Sequence, residues 1–237
     1  MVDAVPEIVS DNTLFDAVPF SGESFMKKLA LAIALTGIVG QAHAISIDAT
    51  LGQSFSTEAG AITETFAGGL PGNYSGGMIR VGPGNPSGVS AAPPGITDNY
   101  YSVGPNNPDN ATGLVGTANF SATPLKYFGF YMGSPDTYNV VEVYNGASLL
   151  ATYTGTDFAT AAGTIPNGNQ SVGLFVNIRA GANEQFDIVK FSTNPSINAF
   201  ETDNHAVVAV PEPSTYAMMG LGLALFGLAG RRRMGKK

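Results

Sequence analysis

The chain has 237 residues, a formal net charge of −7 and no cysteine. Without cysteine it can form neither disulfides nor thiolate zinc sites, and it has no cysteine nucleophile. The negative charge disfavours nucleic acid as a partner, because polyanions bind to basic surfaces.

The first 25 residues carry five acidic residues and no Lys or Arg, and the composition changes abruptly after them. Met26 and two lysines then form a basic region that precedes an apolar run from Leu29 to Val39. We interpret residues 1–25 as a gene-start artefact, with translation beginning at Met26. The alternative is a genuine acidic extension, which would leave the apolar run internal and closer to a signal anchor.

Residues 26–44 have the three parts of a secretory signal peptide, which ends in a small-residue box at Ala42-His43-Ala44. Ala42 and Ala44 are the small residues that signal peptidase requires at such a site. The sequence therefore predicts export through the Sec translocon and cleavage after Ala44, with signal peptidase and the translocon as partners.

The body at residues 45–209 has the size of one domain and contains twelve acidic residues against four basic ones. Its apolar residues form short runs separated by Gly, Ser, Asn and Pro about every ten positions, which is typical of all-β proteins. We predict a single antiparallel β-sandwich and no long amphipathic helix. The predicted strands are 45–51, 62–66, 78–81, 100–103, 125–132, 138–144, 148–153, 172–178, 185–192 and 198–208.

Two local patterns refine this prediction. Apolar residues alternate from Val172 to Ile178, so one face of that strand is expected to be buried, while the other face, which includes Phe175, is mixed. Asn145-Gly146 lies between two strand-like runs and favours a hairpin over 138–153 with a type I′ turn.

A tract rich in Gly and Pro extends from Gly68 to Gly116. Pro removes a hydrogen-bond donor from a strand, and Gly weakens strand interiors, so we expect surface loops here with short strands between them. Because loops often carry function, a ligand site in this tract is the alternative to an insertion that the sandwich tolerates.

The C-terminal residues 210–237 combine three features in a fixed order. Val210-Pro211-Glu212-Pro213-Ser214 comes first, an apolar run from Tyr216 to Gly230 follows, and Arg231, Arg232 and Arg233 end the pattern. We expect the apolar run to be a hydrophobic transmembrane helix, but about 15 residues reach only about 22 Å, less than the roughly 30 Å hydrocarbon core of a bilayer. The arginines favour the cytoplasmic side. A temporary stop in the membrane fits this length better than a permanent anchor.

These residues resemble the PEP-CTERM sorting signals of exopolysaccharide-producing Gram-negative bacteria. The resemblance implies that a membrane-embedded protease, an exosortase, recognises Pro211-Glu212-Pro213, cleaves nearby and passes the protein outward. An ordinary C-terminal membrane anchor is the alternative.

A second resemblance covers parts of the body, from Tyr127 to Tyr144 and from Phe186 to Val208. These segments are similar to jelly-roll surface proteins that carry the same tail. The resemblance implies a β-sandwich in which the strand containing Ala199-Phe-Glu-Thr-Asp-Asn204 closes the fold, with Asn194-Pro195 as the turn before it.

Catalytic candidates are few. His205 is the one histidine of the body, and we interpret it as an edge-strand residue rather than as the base of a nucleophilic triad. Two of the twelve acids could still converge in space, so a hydrolase that uses paired carboxylates stays open.

Asp136, Glu201 and Asp203 are the candidate ligand residues. Asp136 follows Gly-Ser-Pro and is expected to stabilise a turn. Glu201 and Asp203 lie two residues apart and would share one face of a strand, where they could supply part of a calcium site. Apart from calcium no cofactor is expected, and the sequence does not identify a metal.

Six tyrosines provide the aromatic rings that a sugar-binding platform needs, although such residues also pack along sheet edges. They are Tyr100, Tyr101, Tyr127, Tyr131, Tyr138 and Tyr144.

The sequence thus predicts a non-enzymatic exported protein that passes through the membrane and is sorted to the cell envelope or extracellular matrix. A structural or adhesive role in biofilm exopolysaccharide is the leading hypothesis. A carbohydrate-binding module and a carboxylate-dependent hydrolase are the alternatives.

Overall fold

The computed structural model describes residues 45–82, 90–105, 114–211 and 218–223. The described residues belong to one unit of the chain, His43–Lys237. The predictions for residues 1–44, which include the extension and the signal peptide with its cleavage residues Ala42 and Ala44, lie outside the described residues.

Twelve described strands form two antiparallel sheets, which confirms the predicted all-β sandwich. The larger sheet, sheet A, has the order β1-β10-β7-β12-β5-β4, and β2 also pairs with β12. Sheet B has the order β3-β6-β11-β8-β9. The strands are β1 (Ser46–Leu51), β2 (Ile62–Glu64), β3 (Tyr74–Ser75), β4 (Met78–Val81), β5 (Asn99–Val103), β6 (Val115–Asn119), β7 (Leu125–Gly133), β8 (Asn139–Asn145), β9 (Ser148–Thr154), β10 (Gly173–Arg179), β11 (Ile188–Thr193) and β12 (Phe200–Ala209).

The last eight strands pair as a set of nested hairpins. Strand β8 pairs with β9, β7 with β10, β6 with β11 and β5 with β12, and successive pairs alternate between the two sheets. One long hairpin is thereby rolled into a two-layer sandwich, which is the arrangement of a jelly roll. The turn between β8 and β9 lies at its centre.

That central turn confirms the predicted hairpin but not its turn type. The two residues between the strands are Gly146 and Ala147, and only Gly146 has a positive φ, +57°. A positive φ at the first turn position alone is the pattern of a type II′ turn, not of type I′. Asp187, on the segment leading to β11, accepts a 2.8 Å hydrogen bond from the Gly146 N–H and holds the turn in place.

The main core lies between the sheets and is strongly aromatic. Phe191 of β11 is 1% exposed, and its ring contacts those of Phe128, Phe130 and Phe200 from sheet A. The pairs with Phe130 and Phe200 are edge-to-face, and such pairs add to the stability that burial provides.

The outer face of sheet A is also covered. Tyr127, Tyr131, Phe175 and Ala206 form a second buried cluster there, against loop residues that include Ala61 and Ile96. The face of β10 that the sequence analysis described as mixed is therefore buried as well, since Phe175 is completely buried. The tract rich in Gly and Pro does not lie wholly on the surface either, since its residues 90–98 pack over this sheet.

Three elements are missing from the sequence prediction: β3, β6 and a seven-residue helix, α1 (Gly155–Ala161). Thr154 and Asp157 form a capping box at the start of α1, in which each side chain bonds the other residue's backbone N–H. At position 116 of β6 a Cβ would lie 2.0 Å from the Tyr101 hydroxyl oxygen, so this position has no room for a side chain and favours glycine. Glycine at that position weakens the strand signal in the sequence.

Candidate functional site

The sorting segment begins where the sandwich ends. Strand β12 runs through the middle of sheet A to Ala209, and the N–H of Val210 then donates a 2.7 Å hydrogen bond to the Pro124 carbonyl. Pro211 follows and is exposed. Glu212, Pro213, Ser214 and the cluster Arg231, Arg232 and Arg233 lie outside the described residues.

Part of the apolar run is described as helix, at residues 218–223, where five of the six residues are exposed. The described chain includes no helix that is both long and apolar enough to cross a membrane. The remainder of the predicted transmembrane helix lies outside the described residues.

The opposite end of the body is anchored in a comparable way. Ile45, the residue after the predicted signal cleavage, packs against the main core, and its carbonyl accepts a 2.6 Å hydrogen bond from the Tyr153 hydroxyl. Hence Ile45 and Val210, which lie directly beside the two predicted processing sites, are both held by hydrogen bonds to the folded body.

A second candidate site lies on the outer face of sheet A and is built around β12. Strand alternation is interrupted there by a bulge between Asp203 and Ala206, with Asn204 in the left-handed region at φ +49°. One inserted residue reverses the alternation that follows it. Glu201 and Asp203 therefore share one face of β12, as predicted, and this is the outer face of sheet A, whereas His205 faces the main core.

The bulge separates the histidine from the acids. His205 is 1% exposed and its Nδ1 and Nε2 atoms bond the hydroxyls of Tyr74, at 2.9 Å, and Thr202, at 2.8 Å. Its ring stacks on Phe191, and burial lowers the pKa of its imidazole to about 3. The prediction of an edge-strand histidine is wrong because β12 is a central strand. Both ring nitrogens already have structural partners.

Asp203 lies at the floor of a cavity of about 310 Å³. One wall is formed by Ser54, Phe55 and Thr65 and the other by Pro94 to Asp98, while Asp203 and Asn204 provide the base. Two hydrogen bonds position these walls: the Asn204 side chain donates to the Ser54 carbonyl at 2.8 Å, and the Tyr131 hydroxyl donates to the Pro94 carbonyl at 2.7 Å.

The acids at this site differ in exposure. Asp203 is 1% exposed, and its Oδ1 atom has no hydrogen-bond partner, whereas Asp98 is exposed at the cavity rim. The pKa of the Asp203 carboxyl is raised to about 7, mainly by burial and also by the negative charges of Asp98 and Glu64. A hydrogen bond from the Asn204 backbone acts in the opposite direction.

Glu201 is buried beside the cavity but does not line it. Its Oε1 atom accepts a 3.0 Å hydrogen bond from the Ala91 N–H, which ties the covering segment to β12. The pKa of Glu201 is raised to about 7, mainly by burial and also by the charge of Asp136, against the opposing effect of its backbone hydrogen bonds. The geometry gives Glu201 a role in holding residues 90–94 over the sheet.

Asp136 does not line the cavity and lies in the segment between β7 and β8. Its Oδ2 atom accepts a 2.6 Å hydrogen bond from the Tyr138 hydroxyl, and burial raises the pKa of its carboxyl. Asp136, Glu201 and Asp203 are not brought together as one metal site: the described ranges contain no group of three or more acidic or histidine side chains arranged to hold a metal ion. Asp98, which sequence reasoning did not single out, is the acid that shares the cavity with Asp203.

Four of the six candidate tyrosines are buried and cannot contribute to a sugar-binding platform. Tyr100, Tyr101, Tyr127 and Tyr131 are at most 3% exposed, so their ring faces are used in packing. Tyr144 is partly exposed, but the Lys190 ammonium lies 4.4 Å from its ring centre.

In a comparison with known protein families, residues 209–233 match the PEP-CTERM protein-sorting motif. This confirms that the chain carries the sorting signal predicted from Val210 to Arg233, and it supports an exported protein that an exosortase sorts to the cell surface. No curated protein and no solved structure matched the chain.

Proposed function

We propose that the chain is a non-enzymatic surface or matrix protein whose sandwich is the cargo of its own sorting tail. The observation that carries the proposal is the direct succession of β12, the Val210 hydrogen bond and the exposed Pro211. In this arrangement the tail occupies the membrane only transiently. Its removal at the Pro-Glu-Pro motif then releases the body to the cell envelope or the extracellular matrix.

The position of Val210 supports cleavage beside a folded body. Because its N–H is the donor to Pro124, the sandwich holds the chain up to this residue, and the motif follows within three residues. A protease acting at or after Pro211 would leave both sheets of the described body intact.

Intact mass spectrometry tests the sorting part of the proposal. The protein would be recovered from the culture supernatant of the native host and, separately, from its membrane fraction. A released species that starts at Ile45 and ends between Pro211 and Pro213 is expected. A membrane species that retains Arg231 to Lys237 as the final product would overturn transient membrane association.

A structural or adhesive role in exopolysaccharide is the finer part of the proposal. Support comes from the use of the polar groups in the core: the nitrogens of His205 and the Glu201 carboxylate all hold the fold together. Deleting the gene should reduce the retention of polysaccharide at the cell surface, and the wild-type gene should restore it. Unchanged retention and unchanged biofilm mass would count against the role.

The structure weakens the carbohydrate-binding alternative and adds one observation in favour of the hydrolase alternative. Burial of four of the six tyrosines removes most of the stacking surface on which carbohydrate binding was predicted. A carboxylate-dependent hydrolase gains one observation, since Asp98 and Asp203 line the same cavity. Incubation of the released protein with the host polysaccharide separates these readings, because hydrolysis liberates reducing ends and binding does not.

A further inference from the structure

We infer that the cavity between the 54–65 segment and the 94–98 segment binds a hard divalent cation, Ca²⁺, with Asp203 at its floor and Asp98 at its rim. This inference goes beyond sorting and does not depend on cleavage of the tail.

Asp203 carries a buried carboxylate oxygen that has no hydrogen-bond partner in the described protein. The residue is 1% exposed and lines the cavity, yet its Oδ1 atom has no partner in the described protein. Burying a carboxylate oxygen without a hydrogen bond is costly, so such groups are normally paired or coordinate a metal. The Oδ1 atom is thus a buried, uncompensated acceptor of a residue that lines the cavity, and a cation bound there would compensate it.

The charges around Asp203 specify what kind of ligand fits. Asp98 and Glu64 both act on it as negative neighbours, and no Lys, Arg or His is among the described residues that line the cavity. A neutral sugar would leave this repulsion in place, and an anion would increase it. A divalent cation would compensate two carboxylates at once.

The remaining lining matches calcium in chemistry and size. Ca²⁺ takes six to eight oxygen ligands from carboxylates, carbonyls, other side-chain oxygens and water. The hydroxyls of Ser54, Thr65 and Thr97 add neutral oxygens to the two carboxylates. A volume of about 310 Å³ also leaves room for coordinating water. Mg²⁺ demands a smaller, more regular octahedron.

Two carboxylates limit the expected affinity. Calcium sites weaken as the number of charged ligands falls, and extracellular modules bind with Kd of about 10⁻⁴–10⁻³ M. We expect a value in this range, which suits a protein that meets calcium outside the cell.

The purified protein, freed of metal with a chelator, provides the test. Adding CaCl₂ should raise the Tm in a saturable way, by roughly 3–6 °C at ten times the Kd. Terbium, which replaces calcium and luminesces when bound, should be displaced by Ca²⁺ over the same concentration range.

Three variants locate the effect. Asp203→Asn should abolish the calcium-dependent shift, while Glu201→Gln, on the same strand face but outside the cavity, should retain it. Asp98→Asn changes an exposed rim residue that is not expected to affect folding, and it should weaken binding about tenfold or more. It keeps the test valid should Asp203→Asn fail to fold.

The inference is overturned when calcium gives no saturable shift, or when Asp203→Asn and the wild type respond equally. A shift produced by neutral monosaccharides but not by CaCl₂ would also overturn it and would assign the cavity to a glycan. Loss of polysaccharide hydrolysis in Asp203→Asn without any calcium response would assign the carboxylates to catalysis instead.

Discussion

The N–H of Val210 bonds to the carbonyl of Pro124, which immediately precedes β7, at a distance of 2.7 Å. Val210 is also the first residue of the predicted sorting signal. The end of the cargo and the beginning of the signal therefore meet in a single residue, which is fixed to a neighbouring strand.

Disrupting the motif should block processing without unfolding the body. We expect Glu212→Ala and Pro213→Ala to accumulate as membrane-associated full-length protein, because the rigid Pro-Glu-Pro sequence is the element that the protease is inferred to recognise. Thr215→Ala, two residues after the motif, serves as the control and should be released normally. Release of all three variants at the wild-type rate, measured by mass spectrometry of the supernatant, would contradict the assignment.

Stability should depend on the protonation of His205. Its folded pKa of about 3 is below the ordinary value of 6.5, so the unfolded chain binds more protons between these values. The stabilisation is present above pH 6.5 and is lost as the pH falls towards 3. Glu201 and Asp203, with folded pKa values of about 7, contribute oppositely: their stabilisation is complete below their unfolded pKa values and is lost as the pH rises to about 7.

Comparison of the wild type with His205→Gln isolates the histidine term. Urea unfolding at several pH values should show the difference in unfolding free energy changing by up to about 1.4 kcal/mol per pH unit below 6.5. The groups packed around the imidazole include Tyr74 on β3, Tyr101 on β5 and Glu64 on β2 opposite it. Tyr74→Phe keeps the imidazole and should keep the pH dependence. Parallel curves for the wild type and His205→Gln would refute the assignment.

Phe191 should be among the residues on which folding depends most. Phe191→Ala removes a ring that is 1% exposed and contacts four other rings of the core, in addition to His205, so we expect a loss of about 3–5 kcal/mol. Phe55→Ala removes a ring that is 55% exposed and should change stability by less than about 0.5 kcal/mol. Denaturant unfolding of both variants measures the contrast, and similar losses would argue against the aromatic core described above.

The close approach of the sheets at Gly116 leads to a fourth expectation. A Cβ at this position would lie 2.0 Å from the Tyr101 hydroxyl oxygen and 2.6 Å from Val103 Cγ1, so Gly116→Ala should destabilise the protein by about 1–3 kcal/mol. At Gly68 a Cβ would meet nothing within 4 Å, and the backbone φ is not in the left-handed region. Gly68→Ala should therefore unfold at nearly the wild-type midpoint; a larger effect there than at Gly116 would contradict the packing.

The sequence predicted the fold class well because apolar alternation and turn residues are local signals. The prediction of 78–81 coincides with β4, and the other predicted strands overlap observed ones. Strands β3 and β6 were missed for a tertiary reason. Gly116 in β6 is favoured by the position of Tyr101, a residue on the other sheet, and no local pattern records that distance.

Of the two candidate sites, the sorting motif could be predicted from the sequence and the cavity could not. The sorting motif is a linear signal, and it was predicted at residues 210–233 with a family match at 209–233. The cavity depends on a bulge at Asn204 and on the folding of residues 94–98 back over β12. Sequence alternation placed Glu201 and Asp203 on one face correctly, but it could not show that Asp98 is the acid beside Asp203.

The nested pairing of the strands also has a consequence for the order of folding. The β8–β9 hairpin closes over two residues, whereas pairing of β5 with β12 joins segments about a hundred positions apart, and contacts between distant segments form more slowly. We therefore expect the roll to be completed from its centre outward, with β12 docking last. The strand that leads into the sorting tail would then dock only when the rest of the body has folded. In a chain that has not yet folded, the Pro-Glu-Pro motif would follow a segment that is not attached to the sheet.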